Sequence, residues 1–299
     1  MRRSAGPEGE RSASVSPRTV SVVNMKGGVG KSTTVACLAE TLAAEGGLRV
    51  LVVDLDPQSN VSMMLAGQDR WIELRNGRRT IDDYFDQYVY GGEPRFFREF
   101  IAAGVSDISG DPPLDLLIST PEFRNIERHA MEKWIRQGFD MQQLAQRFSR
   151  LTHSAIESVA DSYDLVLFDC PPGMSMFAEA AIGLSEFIII PTIPDYVSRL
   201  GIFAFRKRAI RAMEQRRFTE DRIWTLITKF ETASALHVSE AALLKDQFNV
   251  FETVIPQTEH IARAAEWSEV RRSIDRKYAG AAPVIRQLAA EFRERVGLI

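Results

Sequence analysis

The chain has 299 residues, of which 45% are hydrophobic and 26% charged, an ordinary balance for a globular protein. Its formal net charge of −3 offers no overall attraction to a polyanion, so any nucleic-acid site has to be a local patch. The two cysteines, Cys37 and Cys170, fit neither a metal spacing nor a disulfide framework, which points to a reducing cytoplasm.

Residues 1–18, MRRSAGPEGERSASVSPR, contain almost nothing to bury and are expected to form a disordered tail. The tail is basic but lacks the apolar stretch of a secretory signal. A single folded domain is expected over 19–299. It opens with TVSVV (19–23), a β-branched run that suits a buried strand. A glycine-rich stretch follows, then STTVACLAETLAAE with helical apolar spacing, ending at Gly46 and Gly47. RVLVVD (49–54) is a second buried strand, which completes a βαβ unit.

Signals weaken over 60–160. TIDDYFDQYV (80–89) and the long stretch 130–160 read as helical, and PLDLLIST (113–120) as a strand, with GGEP (91–94) and GDPP (110–113) as breakers. Strands then recur at DLVLFD (164–169), FIIIPT (187–192), IWTLIT (within 222–228) and VFETVI (250–255), with helical segments between them. The FIII run at 187–190 is far too short to span a membrane. Strands alternating with helices predict an α/β fold, a mostly parallel twisted sheet flanked by helices on both faces.

The stretch NMKGGVGKST (24–33) carries the first chemistry. The usual phosphate loop is G-x-x-x-x-G-K-[ST]; Gly30, Lys31 and Ser32 fill its end, but its first position falls on Met25. Gly27, Gly28 and Gly30 allow a tight turn whose N–H groups surround phosphate oxygens, and the following helix adds its positive end. Val29 and Thr33 complete the candidate nucleotide loop. Lys31 would hold the β- and γ-phosphates, and the Ser32 hydroxyl would ligate Mg²⁺. DLDPQSN (54–60) ends the second strand with two carboxylates, Asp54 and Asp56, suited to a magnesium and water site. YDLVLFDCPPG (163–173) is a buried strand ending in Asp169, an acid placed to reach Mg²⁺ through water, and Pro171, Pro172 and Gly173 begin a candidate switch loop.

KGGVGKS resembles the deviant Walker A motif of the ParA/MinD family of P-loop ATPases, which includes partition ATPases, Min-system ATPases and nitrogenase iron protein. That resemblance implies a P-loop NTPase fold, ATP and Mg²⁺ as cofactors, and a homodimer sandwiching two nucleotides. Lys26 matches the lysine that reaches the partner subunit's nucleotide. DLDPQSN resembles the family's A′ motif, which implies that Asp56 polarises the attacking water and Asp54 supports the metal shell. The segments 187–202 and 254–270 also resemble partition ATPases, making Pro256 and Gln257 candidate contacts for the base.

Between Arg199 and Arg222, eight basic residues face three acidic ones, a local balance of +5. LGIFAFRKRAIRAMEQRRF looks helical, with Ile202, Phe203, Phe205, Ile210 and Met213 expected in the core and the cations facing water. Such a face suits sequence-independent binding to DNA phosphates. The resemblance implies DNA contacts here, assigned to Arg199, Arg206, Arg208, Arg211, Arg216 and Arg217, and a further basic contact near 228–234, where only Lys229 is found. It also implies a cytoplasmic, nucleoid-associated ATPase stimulated by a ParB-like or cargo-adaptor protein to segregate or position cargo. The alternative is a Min-type ATPase cycling on a membrane through the apolar and basic stripe of PVIRQLAAEFRERVGLI. A nitrogenase-like cluster is not expected, since neither Cys37 nor Cys170 has a suitable loop context.

Overall fold

A computed structural model describes residues 16–91, 93–213 and 220–298, the side chains of 211–213 and 220 excepted. Most of the expected tail, 1–15, lies outside the described residues, as do Arg216 and Arg217. Arg18 already belongs to the first strand.

In chain order the strands are β1 (Arg18–Val22), β2 (Val50–Asp54), β3 (Leu114–Leu117), β4 (Leu165–Asp169), β5 (Phe187–Thr192) and β6 (Ile223–Ile227). The helices are α1 (Lys31–Ala44), α2 (Asn60–Asn76), α3 (Ile81–Val89), α4 (Phe123–Arg136), α5 (Met141–Glu157), α6 (Met176–Leu184), α7 (Tyr196–Met213), α8 (Ala235–Gln247), α9 (Glu259–Ala264), α10 (Ile274–Tyr278) and α11 (Ala282–Val296). Among the described residues the strands form one six-stranded sheet, ordered β3-β2-β4-β1-β5-β6, with every named pair parallel. Strand β2 is buried along its whole length, as the unbroken apolar run VLVV requires when helices cover both faces. One face packs a core that includes Val20, Val52, Leu38 from α1 and Phe292 from α11. The other packs Leu51, Phe168, Phe148 from α5 and Phe177 from α6.

The order in which strands are added switches sides around β1, which lies between β4 and β5, while every named pair stays parallel. In such sheets ligands bind beyond the carboxyl ends of the strands at that switch point. All three sequence motifs leave their strands at that edge. Register sharpens this: Asp54 pairs opposite Asp169, and Asp169 opposite Val22.

Three elements depart from the expected ones. The stretch 130–160 is two helices, because Gly138 at φ 91° ends the first and Asp140 caps the second, its side chain accepting from the Gln143 N–H. Helix α2 is broken at Gly67, φ 74°, where a Cβ would sit 2.7 Å from the Trp267 ring. The run VFETVI is not a strand. It touches β6 through an isolated bridge at Val250, and the Glu291 carboxylate accepts the Glu252 and Thr253 N–H groups that a ladder would need. The apolar stripe of α11 is committed too: Ile285, Leu288, Phe292 and Val296 are buried in the core shared with α1, not free to lie on a membrane. Among the described residues no helix is long and apolar enough to cross a membrane.

Behind α1 lies a buried ionic cluster. The Lys277 ammonium donates to Glu40 at 2.6 Å and to Asp107 at 2.7 Å, while the Tyr278 and Ser106 hydroxyls donate to Glu40 at 2.7 and 2.8 Å. Arg272 pairs with Asp107 as well. This cluster joins the helix that follows the phosphate loop to the loop before β3 and to α10. Removing one partner of a buried pair leaves uncompensated charge, which costs more than the pair itself contributes. Lys277→Met is therefore expected to lower stability by about 3–5 kcal/mol. Urea unfolding checks this, and adding Glu40→Gln to the variant should recover part of the loss.

Candidate active site

The phosphate loop is shaped by glycine. Gly28 and Gly30 have φ of 74° and 86°, where a side chain is strained, and Gly30 is the residue from which α1 begins. A buried framework holds the loop. The Asn24 side-chain amide donates to the Pro191 carbonyl at 2.7 Å and its oxygen accepts the Lys26 N–H at 2.9 Å. The Thr228 hydroxyl, at the end of β6, donates to the Val29 carbonyl at 2.8 Å. Val29 itself is fully buried and does not line the cleft. Asn24 and Thr228 carry no signal in the sequence, since their partners lie 167 and 199 residues away.

An open cleft of about 540 Å³ is lined by Gly27, Gly28, Lys31, Ser32, Thr33 and Asp56, among others. It brings together residues from both loops that the sequence assigned to phosphate and water. Lys31 is buried, which lowers its pKa, while Asp169 and Asp56 pull it back up by favouring the charged form. Asp169 is fully buried, and neither of its oxygens has a hydrogen-bond partner among the described residues. Burial pushes its pKa up to about 7; the Ser32 hydroxyl and Lys31 oppose that rise and the charge on Asp56 adds to it. An uncompensated buried carboxylate beside a hydroxyl fits a magnesium ion, and Asp169 and Ser32 are the residues that would hold it.

Asp54, which the resemblance places in support of the metal shell, has its oxygens held by protein donors. Its Oδ1 accepts the Asp56 N–H at 2.9 Å, and its Oδ2 accepts the Ser62 hydroxyl at 2.6 Å and the Ser62 N–H at 3.2 Å. Asp54 therefore fixes the turn that presents Asp56 and anchors the start of α2. The sequence points to Asp54 but not to its partners, because Ser62 carries no motif.

Beside the cleft, a cavity of about 190 Å³ is walled by Ile255, Ile261, Ile285 and Leu288. Pro256 and Gln257, which the resemblance offers as base contacts, stand at its edge. An apolar slot next to a phosphate loop suits a flat aromatic base.

Lys26 does not line the cleft. Its ammonium donates to Asp195 at 2.8 Å and to the Ser198 hydroxyl at 3.2 Å, at the start of α7. Partial burial raises the Asp195 pKa, but donation from Lys26 and Ser198 outweighs it, and the net shift is downward. Asp195 and Ser198 escape a sequence reading for the same reason as Asn24.

The basic helix is only partly as expected. Arg199 is nearly buried, pairs with Glu240 at 2.7 Å and donates to Gln247 at 3.3 Å, so it ties α7 to α8 and does not face solvent. Arg206 lies over the Phe248 ring with its guanidinium carbon 5.4 Å from the centroid. Arg208 is half exposed, 3.6 Å from Glu179, and Lys207 is exposed. The Arg211 side chain lies outside the described residues. Ile202 and Phe205 are in the core as expected, but Phe203 is exposed and packs against Phe248 at a tilt.

The sequence matches the AAA domain family over residues 17–221. It is 25% identical over 282 residues to the Caulobacter vibrioides chromosome partitioning protein ParA, covering 93% of this chain and 94% of that one. It is 26% identical to the Bacillus subtilis sporulation initiation inhibitor protein Soj, over 83% of this chain and 87% of that one. Among solved structures, a Cyanothece McdA–ATP complex superposes with a TM-score of 0.70 at 16% identity, covering 94% and 96% of the two chains. A putative plasmid partition protein from Borrelia burgdorferi, bound to AMPPNP, gives 0.66 at 18% identity, covering 92% and 99%. The chain belongs to this family and is a P-loop ATPase of the ParA/MinD type.

Lys31→Ala is expected to weaken ATP binding tenfold or more, since a hydrogen bond to a charged group contributes about 1.5–3 kcal/mol. Asp169→Asn should leave metal-free ADP binding nearly intact and abolish its enhancement by Mg²⁺. Calorimetric titration with and without Mg²⁺ checks both; an equal loss under both conditions would place Asp169 in the fold and not at the metal.

Proposed function

We propose that this protein is an ATP-driven switch: it binds Mg²⁺ and ATP, closes into a sandwich dimer, binds DNA without sequence preference, and hydrolyses ATP slowly when a ParB-like or cargo-adaptor protein stimulates it. The cycle would segregate a plasmid or chromosome, or space a protein cluster, in the cytoplasm on the nucleoid. The observation that carries the reading is Lys26. It follows the loop's Asn24 anchor, yet its ammonium is held at the rim by Asp195 and Ser198, outside its own phosphate cleft. A lysine so placed is available to a nucleotide presented by a second subunit, where two facing triphosphates need cations from both sides. Asp56, buried at the cleft wall with its Oδ1 accepting the Gln58 N–H, would polarise the attacking water. The names of relatives in chromosome partitioning and plasmid partition support the task. The membrane-cycling alternative has less support, because its stripe on α11 is buried.

Lys26→Ala is expected to bind nucleotide within a few-fold of the wild type but to stay a single subunit with a nonhydrolysable ATP analogue, as read by light scattering. Asp195→Asn should act in the opposite direction. The Lys26–Asp195 pair is partly exposed, so it contributes under about 1 kcal/mol, and its removal should strengthen dimerisation by up to about fivefold. Unchanged dimerisation in both variants would sink the trans role of the lysine.

DNA retention should require ATP and fail with ADP or no nucleotide. Replacing Lys207 and Arg208 with glutamine should weaken it and reduce the salt slope by about 0.9 for each phosphate no longer neutralised. Arg199→Gln should instead lower stability, since it unpairs the buried Glu240.

A further inference from the structure

Lys229 lies outside every nucleotide motif, yet the fold gives it a defined place. Strand β6 ends at the nucleotide edge, where the Thr228 hydroxyl donates to the Val29 carbonyl and also reaches the Thr192 carbonyl at 3.2 Å. Backbone bonds grip the chain on both sides of Lys229: Thr228 N–H donates to Thr192 and Phe230 N–H to Ile255, at 2.8 and 3.0 Å. Between these fixed points Lys229 has φ of 51°, a left-handed conformation that strains a non-glycine residue. The surroundings impose that conformation, and it commits the direction in which the side chain leaves the strand.

Lys229, itself exposed, lines both the apolar cavity and the phosphate cleft. The two share only Gly30, Thr33, Lys229 and Ala265, so these residues mark the junction between base and phosphates. Lys229 is the one cation of the four. Its ammonium has no hydrogen bond or ion pair among the described residues, whereas the Lys26 ammonium is engaged by Asp195 and that of Lys31 by the Lys26 carbonyl at 3.3 Å. Terminal phosphates at Lys31 and Ser32 and a base among Pro256 and Leu288 would leave the α-phosphate at this junction.

We propose that Lys229 is a nucleotide-binding residue that donates to the α-phosphate of its own subunit's nucleotide. The assignment rests on the nucleotide reading above. It takes Lys229 away from the DNA contact that the family resemblance suggested for the segment after β6. It also gives the site a cis cation that does not depend on dimer closure, unlike Lys26, so nucleoside diphosphates and triphosphates both benefit from it.

The test uses the full chain and its Lys229→Met and Lys229→Arg variants, with ATP, ADP and adenosine measured by displacement of a fluorescent ADP analogue. Lys229→Met should weaken ATP and ADP roughly tenfold, as removal of one charge-assisted hydrogen bond implies, and change adenosine less than about twofold. Lys229→Arg should restore most of the affinity. DNA retention at saturating ATP should match the wild type. An equal weakening for adenosine and ATP, unaltered ATP affinity, or abolished DNA retention with normal ATP affinity would each overturn the assignment. A wild-type chain that binds neither ATP nor ADP would instead overturn the nucleotide reading, and this assignment with it.

Discussion

Everything at the candidate site depends on the parallel register that sets the end of β2 beside the end of β4, with Asp54 opposite Asp169. Two carboxylates so close in a dry sheet edge repel each other, and the fold answers that repulsion differently for each. Asp54 is given three protein donors from Asp56 and Ser62. Asp169 has none among the described residues, only the nearby Ser32 and Lys31. The first carboxylate therefore organises a turn, while the second keeps both oxygens without a donor among the described residues. That asymmetry, more than the presence of two acids, suits the edge to a metal.

Lys31 and Lys26 share a loop and differ only in what surrounds them. Lys31 enters a buried position between acids at the start of α1, where burial lowers its pKa and the charges of Asp169 and Asp56 work against that. Lys26 stays at the rim in a half-exposed pair with Asp195. Because an exposed pair is weak, it holds the ammonium without trapping it. A fully buried pair, such as Lys277 with Glu40 behind α1, could not exchange partners so readily. A half-exposed ion pair thus lies in the loop before α1 and a fully buried one behind the helix.

The candidate site was legible where its logic is local. Gly30, Lys31 and Ser32 are neighbours in sequence, and their chemistry follows from a turn and a helix start. Asp169 was singled out because it is an acid ending an unbroken apolar strand, a pattern that Asp54 shares, so the pattern alone did not tell the two apart. The same local reading failed where a distant side chain intervenes. Arg199 looked like a solvated cation until Glu240, 41 residues away, took it. VFETVI looked like a strand until Glu291 captured two of its N–H groups. Helix α2 was not recognised because Gly67 interrupts its pattern at the point where Trp267 packs.

From the amino-acid sequence alone came the βαβ start, the parallel α/β architecture, and the phosphate-loop residues and acids that gather at the cleft. Apolar periodicity and motif spacing are properties of neighbouring residues, so no folded chain is needed to read them. Only the tertiary structure decided which acid is satisfied and which has no partner among the described residues, where Lys26 rests, and that Thr228 braces the loop it follows by almost 200 residues. Those outcomes depend on hydrogen bonds between segments far apart in the chain, and the sheet's strand order is what brings such segments within 3 Å of each other.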